Sequence, residues 1–308
     1  MLGLYIALGV IGLLFILFWV MMFIVHYKVF YSPHKGQNND YVLTDSTHLL
    51  GKDDLIYKLI TDLRNTPCEH VYTKSRDHIK LHSRLYRNVN SDTVVIMCHG
   101  YRGTAIRDFS GGATHMIEKG YNVLLIDERG HGDSKGHCIT FGNKEKSDIL
   151  CWIDFAKKEF GENIKIVLIG MSMGAATLLF ASKYIKEPLK IICDSPYSTE
   201  REIIRETIKM MKLNVKFFYP IVNLSSILIS HASLNKDDGA KNVKESNHKF
   251  LIIHGNSDTM VPQEFSYRVY LENKEKVQYE VFDNTDHGLG YITDKKRYLK
   301  LIDDFMNN

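Results

Sequence analysis

The stretch VLIGMSMGAATLLF, Val167–Phe180, sets Ser172 between Gly170 and Gly174 where an apolar run passes into helix-forming residues. One reading is an ordinary turn that needs two flexible residues. The other is a nucleophile held in a strained bend between a buried strand and a helix. There the glycines let neighbouring backbone approach without a Cβ clash. Gly-x-Ser-x-Gly alone is a weak signal, so its surroundings decide.

Those surroundings are regular. TVVIMC, NVLLID, KIVLIG, KIICD and KFLIIH begin near residues 93, 122, 165, 190 and 249 and are almost wholly apolar. Runs of that kind suit strands buried on both faces, as in a parallel sheet covered by helices. Helical patterns lie between them, over Arg107–Lys119, Lys144–Phe160 and Met173–Lys186. The alternation predicts an α/β fold with a mostly parallel, doubly wound sheet and helices on both faces. Upstream, Leu49–Leu63 carries a helical period, and HVYTKS and IKLHSRLYR alternate around Arg76-Asp77 as an antiparallel hairpin. Residues 200–245 interrupt the rhythm. Ile204, Ile208, Met211, Val215 and Phe218 fall at steps of four and three, predicting one helix that Pro220 ends. That insertion reads either as a helix pair on the core or as a small cap over a pocket.

The first thirty residues differ from the rest. Leu2 to Val25 contains no charged side chain and, at about 1.5 Å per helical residue, reaches about 36 Å, enough to cross a bilayer core. A basic start and a small-residue cleavage site, the marks of a signal peptide, are missing, and the first basic residue is Lys28. The expected organisation is a transmembrane anchor over 1–30, a tether with an N-terminal helix over 31–69, and one α/β domain over 70–308 that holds the insertion at about 200–245. Lys28 and Lys35 favour a cytoplasmic domain, with export to the extracellular side left open.

Composition narrows the function. Hydrophobic and charged contents of 44% and 24% with a net charge of +3, and no run of five like charges, do not call for a nucleic-acid partner. Five scattered cysteines make neither a disulfide framework nor a zinc spacing. No metal or cofactor is expected, and neither GxxxxGK[ST] nor a helix-opening GxGxxG occurs.

Ligands of open parallel sheets gather at the carboxyl ends of the strands, so the residues after each apolar run matter most. A serine hydroxyl there needs a base, and the base needs an orienting carboxylate. His287 follows the final strand run, VQYEVFD, and Asp258 follows an earlier one. The order Ser172, Asp258, His287 suits one hydrolase architecture. Asp194, Asp283 and Asp286 compete for the acid, with Asp194 the foremost of them.

The motifs HGYRG (99–103), DERGHGDS (127–134), GMSMG (170–174), HGNSDTMVP (254–262) and DHG (286–288) together resemble the α/β-hydrolase-fold serine hydrolases over residues 70–308. The nearest likeness is to bacterial membrane-anchored Bem46-like and serine-aminopeptidase-like (S33-type) hydrolases. That resemblance implies Ser172 as nucleophile, His287 as general base and then acid, and Asp258 as the group fixing its tautomer. It implies an oxyanion hole from the backbone N–H groups of Tyr101 and Met173, and it leaves His99 and the DERGHGDS loop as local supports. Tyr197, Met211 and Phe218 are the expected pocket residues. The expected activity is cleavage of carboxylic esters or thioesters, as by an esterase, a monoacylglycerol-type lipase or an acyl thioesterase, on a small ester or lipid-like substrate. The alternatives are a peptidase of the same fold and a non-catalytic binding protein.

Overall fold

The computed structural model describes residues 1–32, 40–43 and 50–308, so most of the expected tether and Leu49 lie outside the described residues. The chain opens with one long helix, α1 (Leu2–Val29), followed by α2 (Asp53–Asn65). Then come β1 (Glu69–Lys74), β2 (Lys80–Tyr86), β3 (Thr93–Cys98), α3 (Ala105–Glu118), β4 (Asn122–Asp127) and α4 (Glu145–Phe160). Next are β5 (Lys165–Met171), α5 (Met173–Ala181), β6 (Lys190–Asp194), α6 (Glu200–Met210), α7 (Val215–Ser225) and α8 (Gly239–Glu245). The chain closes with β7 (Lys249–Gly255), α9 (Gln263–Glu272), β8 (Val277–Phe282), α10 (Gly290–Thr293) and α11 (Lys295–Asn307).

The strands form one sheet in the order β1-β2-β4-β3-β5-β6-β7-β8. β1 and β2 pair as the expected antiparallel hairpin, β2 meets β4 antiparallel, and every pairing from β4 to β8 is parallel. The two-residue period of a strand explains why the central runs are apolar throughout. Val94, Ile96 and Cys98 of β3 enter the core on one face, under α4, α5 and the insertion, while Val95 and Met97 enter the core on the other, under α2, α3 and α11. A fully buried strand has no face to spare for polar residues.

At the end of β5 the backbone turns sharply. Ser172 has φ +53° and ψ −115°, a region that side-chain-bearing residues seldom occupy. Its N–H donates to the Asp194 carbonyl at 2.8 Å, and its carbonyl accepts from Ala176 N at 2.9 Å to start α5. A Cβ on Gly170 would stand 2.6 Å from the Ala175 nitrogen, and one on Gly174 would run into the Cys98 carbonyl. Both glycines therefore answer to the close seating of α5 against β5 and β3. The bend is strained and specific, which an ordinary flexible turn would not be.

The insertion differs from expectation. It is two helices, broken where Lys212 takes φ +57° and where the Asn214 side chain accepts from Phe217 N to cap α7. Pro220 lies inside α7 and does not end it. The apolar period runs through the break because both helices pack on the same core, so periodicity alone could not reveal it. A π-helical turn, Ser226–Ser230, prolongs α7.

α1 is exposed along Leu2–Leu17, and Met22, His26 and then Phe30 are buried against the rest of the chain. The Ser225 hydroxyl donates to the Met22 carbonyl at 2.9 Å. At the far end, Tyr101 Oη donates to the Val29 carbonyl at 2.8 Å, and Arg102 donates to the carbonyls of Lys28 and Tyr31.

Gly174→Ala forces α5 off the Cys98 carbonyl and is expected to lower unfolding stability by about 1–3 kcal/mol, as overpacking in a filled core does. Chemical denaturation of the two proteins measures it, and an unchanged midpoint would contradict the close seating described.

Candidate active site

The loops that follow β7 and β8 are laced together. Ser257 N donates to the Thr285 carbonyl, Asn284 N to Asn256 Oδ1, and Thr259 N to Asp286 Oδ1 at 2.7 Å. This lacing brings Asp258 and His287 together, with Asp258 Oδ2 accepting from His287 Nδ1 at 2.7 Å. The second oxygen of Asp258 accepts the Met260 and Val261 amides at 2.9 and 2.7 Å. The carboxylate is thus fixed before it meets the imidazole.

The competing acids are committed elsewhere. Asp286 accepts from Thr259 and from the His287 amide, and Asp283 accepts from Asn256 Nδ2. Asp194 accepts from Ser195 Oγ at 2.9 Å and from Tyr298 Oη at 2.8 Å. A second buried histidine also reaches Asp258: His254 Nε2 lies 3.1 Å from Asp258 Oδ2, while its Nδ1 meets Ser266 Oγ at 2.7 Å. His254 stands in HGNSDTMVP, four residues before Asp258, and that spacing was its only mark in the sequence.

Charge follows from this geometry. Burial opposes ionisation of Asp258, but the hydrogen bonds from His254 and His287 outweigh it and hold its carboxyl below the usual carboxylate range. Burial likewise pushes the His287 pKa down. The Asp258 hydrogen bond and charge, with Asp194 and Asp286 behind them, more than reverse this and raise it above 6.5.

On the other side of Ser172 lies the loop 99–103. Gly100 N donates to Asp108 Oδ2, Arg102 N to His131 Nε2 and Gly103 N to the Gly100 carbonyl. Among the described residues, neither the Tyr101 amide nor the Met173 amide has an acceptor within the protein. His99 takes the Glu128 amide on Nε2 and donates from Nδ1 to the Gly100 carbonyl. His131 donates from Nδ1 to the Arg129 carbonyl, and burial first of all takes its pKa down to about 3. Both imidazoles are neutral props for backbone, whereas Arg129 is a cation whose guanidinium is paired with the Asp148 and Asp77 carboxylates.

Ser172, His287, Gly100, Tyr101 and Asp194 border one open cavity of about 180 Å³. Its apolar wall comes from Ile56, Phe109, Leu289, Tyr291 and Ile292, with Arg107 at the side, paired to Asp108 at 2.9 Å. Volume on this scale suits a short acyl group or one end of a longer molecule, being below the 300–1,000 Å³ of sites that enclose a drug-sized ligand.

The expected pocket residues lie elsewhere. Tyr197 is buried with its hydroxyl donated to the Phe141 carbonyl, Met211 is 65% exposed at the end of α6, and Phe218 packs beside Phe217 and against the core. None of them, and no described residue of 200–245, borders the cavity. The apolar face of α6 is spent on the core and α7 is spent partly on α1, so the insertion does not roof Ser172. The walls were not apparent because Ile56 and Phe109 fall within helical patterns, Leu49–Leu63 and Arg107–Lys119, that read as ordinary packing, and no pattern marks Tyr291. Away from the cavity, donor atoms of His70, His82 and Asp133 lie within 4.8 Å of one another and are the group of described residues able to surround a cation. There His82 already bonds Asp127 and His70, and Arg84 stands 3.5 Å from Asp127.

The expected NMR signature is a His287 imidazole that loses its proton above pH 6.5, with a midpoint that moves down in Asp258→Ala. A midpoint unmoved by that change would contradict the coupling.

Comparison with known proteins agrees with the fold. Residues 89–238 match the family described as "Serine aminopeptidase, S33". The membrane protein YNL320W of Saccharomyces cerevisiae is 28% identical over 68% of this chain and 69% of its own. The lysophosphatidylserine lipase ABHD12 of Macaca fascicularis is 29% identical over 59% of this chain, which spans only 45% of that lipase. Among solved structures, the Pyrococcus furiosus esterase Pf2001 superposes with a TM-score of 0.63 at 25% identity, covering 80% of this chain and 92% of the esterase. The chain has the α/β-hydrolase fold, resembles the S33 serine-aminopeptidase-like group over residues 89–238, and has an esterase and a lipase among the proteins it is similar to.

Proposed function

We propose that the protein is a membrane-anchored serine hydrolase that cleaves carboxylic esters or thioesters of lipid-like substrates through Ser172, His287 and Asp258. The observation that carries this reading is a serine held at φ +53° in the same cavity as an imidazole bonded at 2.7 Å to a buried carboxylate. Ser172 Oγ attacks the acyl carbon while His287 Nε2 takes its proton. The oxyanion receives hydrogen bonds from the Tyr101 and Met173 amides, which have no competing acceptor among the described residues; each such donor contributes roughly 2.7–4 kcal/mol. Collapse returns the proton to the departing alcohol or thiol and leaves an acyl-enzyme. Water, deprotonated by His287, then releases the acid and restores Ser172.

Lipid-like substrates are favoured by the apolar wall of the cavity and by the likeness to a lysophosphatidylserine lipase and an esterase. α1 is long and apolar enough to span a membrane, and its last turn bonds the loop that carries the Tyr101 amide. The anchor therefore delivers the catalytic edge to the place where such substrates reside. A peptidase is the second reading, supported by Asp194, a carboxylate in the cavity wall able to face a substrate amine. Against it, both Asp194 oxygens already accept hydrogen bonds. Glu202 and Glu206 on α6 are no freer to bind an amine: Glu202 is bonded to Ser198 and Glu206 is paired with Lys209.

A fluorophosphonate probe should label the intact protein, and Ser172→Ala should abolish labelling and reduce turnover of p-nitrophenyl esters by roughly 10⁶-fold. Absence of labelling in folded protein would refute the nucleophile assignment, and faster turnover of aminoacyl amides than of esters would select the peptidase. The reaction needs neutral His287, so turnover should fall as pH drops through a midpoint above 6.5. Asp258→Asn should cost roughly 10⁴-fold in kcat, the loss that follows when the orienting carboxylate is neutralised in a triad.

A further inference from the structure

α7 and the turn after it are apolar on two sides. Tyr219, Val222 and Ser225 are buried, while Leu213, Phe217, Pro220, Leu224 and Ile227 are exposed at steps of four, three, four and three. Phe217, Pro220, Leu224 and Ile227 therefore form one continuous helical stripe on the outer face, with Phe217 63% exposed and Leu213 just ahead of it in the preceding turn. Contiguous exposed apolar surface of this kind marks an interaction site.

We propose that this stripe is a second membrane contact, lying along the bilayer surface beside the point where α1 enters it; the inference rests on the reading of α1 as a spanning helix. The occupant is set by where α1 leaves the domain. Leu2–Met21 rises about 30 Å as a helix, the thickness of a hydrocarbon core. The first α1 side chain buried against the domain is Met22, and its carbonyl accepts from Ser225 at the end of α7. Leu224 and Ile227 flank that bond in sequence, so a bilayer around Leu2–Met21 has its surface level with the end of the stripe. Charge agrees with position. Lys212 and Lys216 are exposed at the other end of the stripe and Lys28 at the end of α1, where anionic headgroups would meet them. A helix apolar on its inner and outer faces and rimmed by lysines has the character of an in-plane interfacial helix.

Tryptophan depth measurements test this in the full chain, reconstituted in nanodiscs of phosphatidylcholine and phosphatidylglycerol. Trp19 lies in α1 and Trp152 is sealed in the core, so Trp19→Phe leaves a constant background. On that background Phe217→Trp and Ile227→Trp should emit at shorter wavelength than Val89→Trp, which sits on an exposed turn. Both should be quenched by lipids brominated near the headgroup and be shielded from aqueous iodide. Iodide quenching without bromolipid quenching at 217 and 227, while Trp19 of the unaltered chain is quenched by bromolipid, would overturn the stripe and leave the anchor intact. Loss of bromolipid quenching at Trp19 as well would overturn both. A blue shift at 217 without bromolipid quenching would mean that protein, a second copy included, covers the stripe, and that too would overturn it.

Discussion

The site depends on how closely α5 sits on the sheet. Ser172 can hold φ +53° because its backbone is bonded on both sides, to Asp194 at the end of β6 and to Ala176 in α5. Strain of this kind costs on the order of 1–3 kcal/mol and persists only where the surroundings over-determine it. The approach of Gly174 to the Cys98 carbonyl supplies that surrounding and also fixes the end of β3 against the start of α5. One contact therefore sets the serine and, through the loop that begins at His99, the relative placement of the Tyr101 and Met173 amides.

A similar economy holds the other half of the cavity. The ends of β6, β7 and β8 carry several carboxylates, and each carboxylate has a separate task. Asp286 binds the two loops together, Asp283 holds Asn256, Asp194 takes the Tyr298 and Ser195 hydroxyls, and Asp258 alone among them meets the imidazole. His254, at 3.1 Å from the same carboxylate, adds a second donor that favours its ionised form. Because Asp258 is charged, His287 holds its proton more tightly than a free histidine would. A stronger base is gained at the expense of being protonated over more of the acidic range.

Much of this was legible from residues alone, for identifiable reasons. Strands buried on both faces are written as unbroken apolar runs, so β3 to β7 were apparent, and strand-end position singled out Ser172, Asp258 and His287. The choice among four carboxylates was not written there, since all lie in strand-end loops and only the folded hydrogen bonds separate them. The cavity walls were equally hidden. Ile56 and Phe109 follow the helical period of core residues, and nothing in a period says which part of a helix lines a void. The insertion misled for a related reason: Met211 and Phe218 continue the spacing of Ile204 and Ile208, yet the chain reverses at Lys212 between them.

The link between α1 and the loop at 99–103 joins these themes. Tyr101 uses its hydroxyl to bind the Val29 carbonyl and its ring to stack on Phe141, and it borders the cavity. Arg102, next in sequence, ties the carbonyls of Lys28 and Tyr31 while its own amide rests on His131. The end of α1 is thus built into the support of that loop and does not hang from a flexible leash. A helix held in this way restricts how the domain can tilt relative to whatever surrounds Leu2–Met21. With α7 packed on the same helix near Met22, two points of attachment exist where a tether would offer one. Orientation, and with it the direction in which the cavity at Ser172 opens, then follows from packing already present in the folded chain.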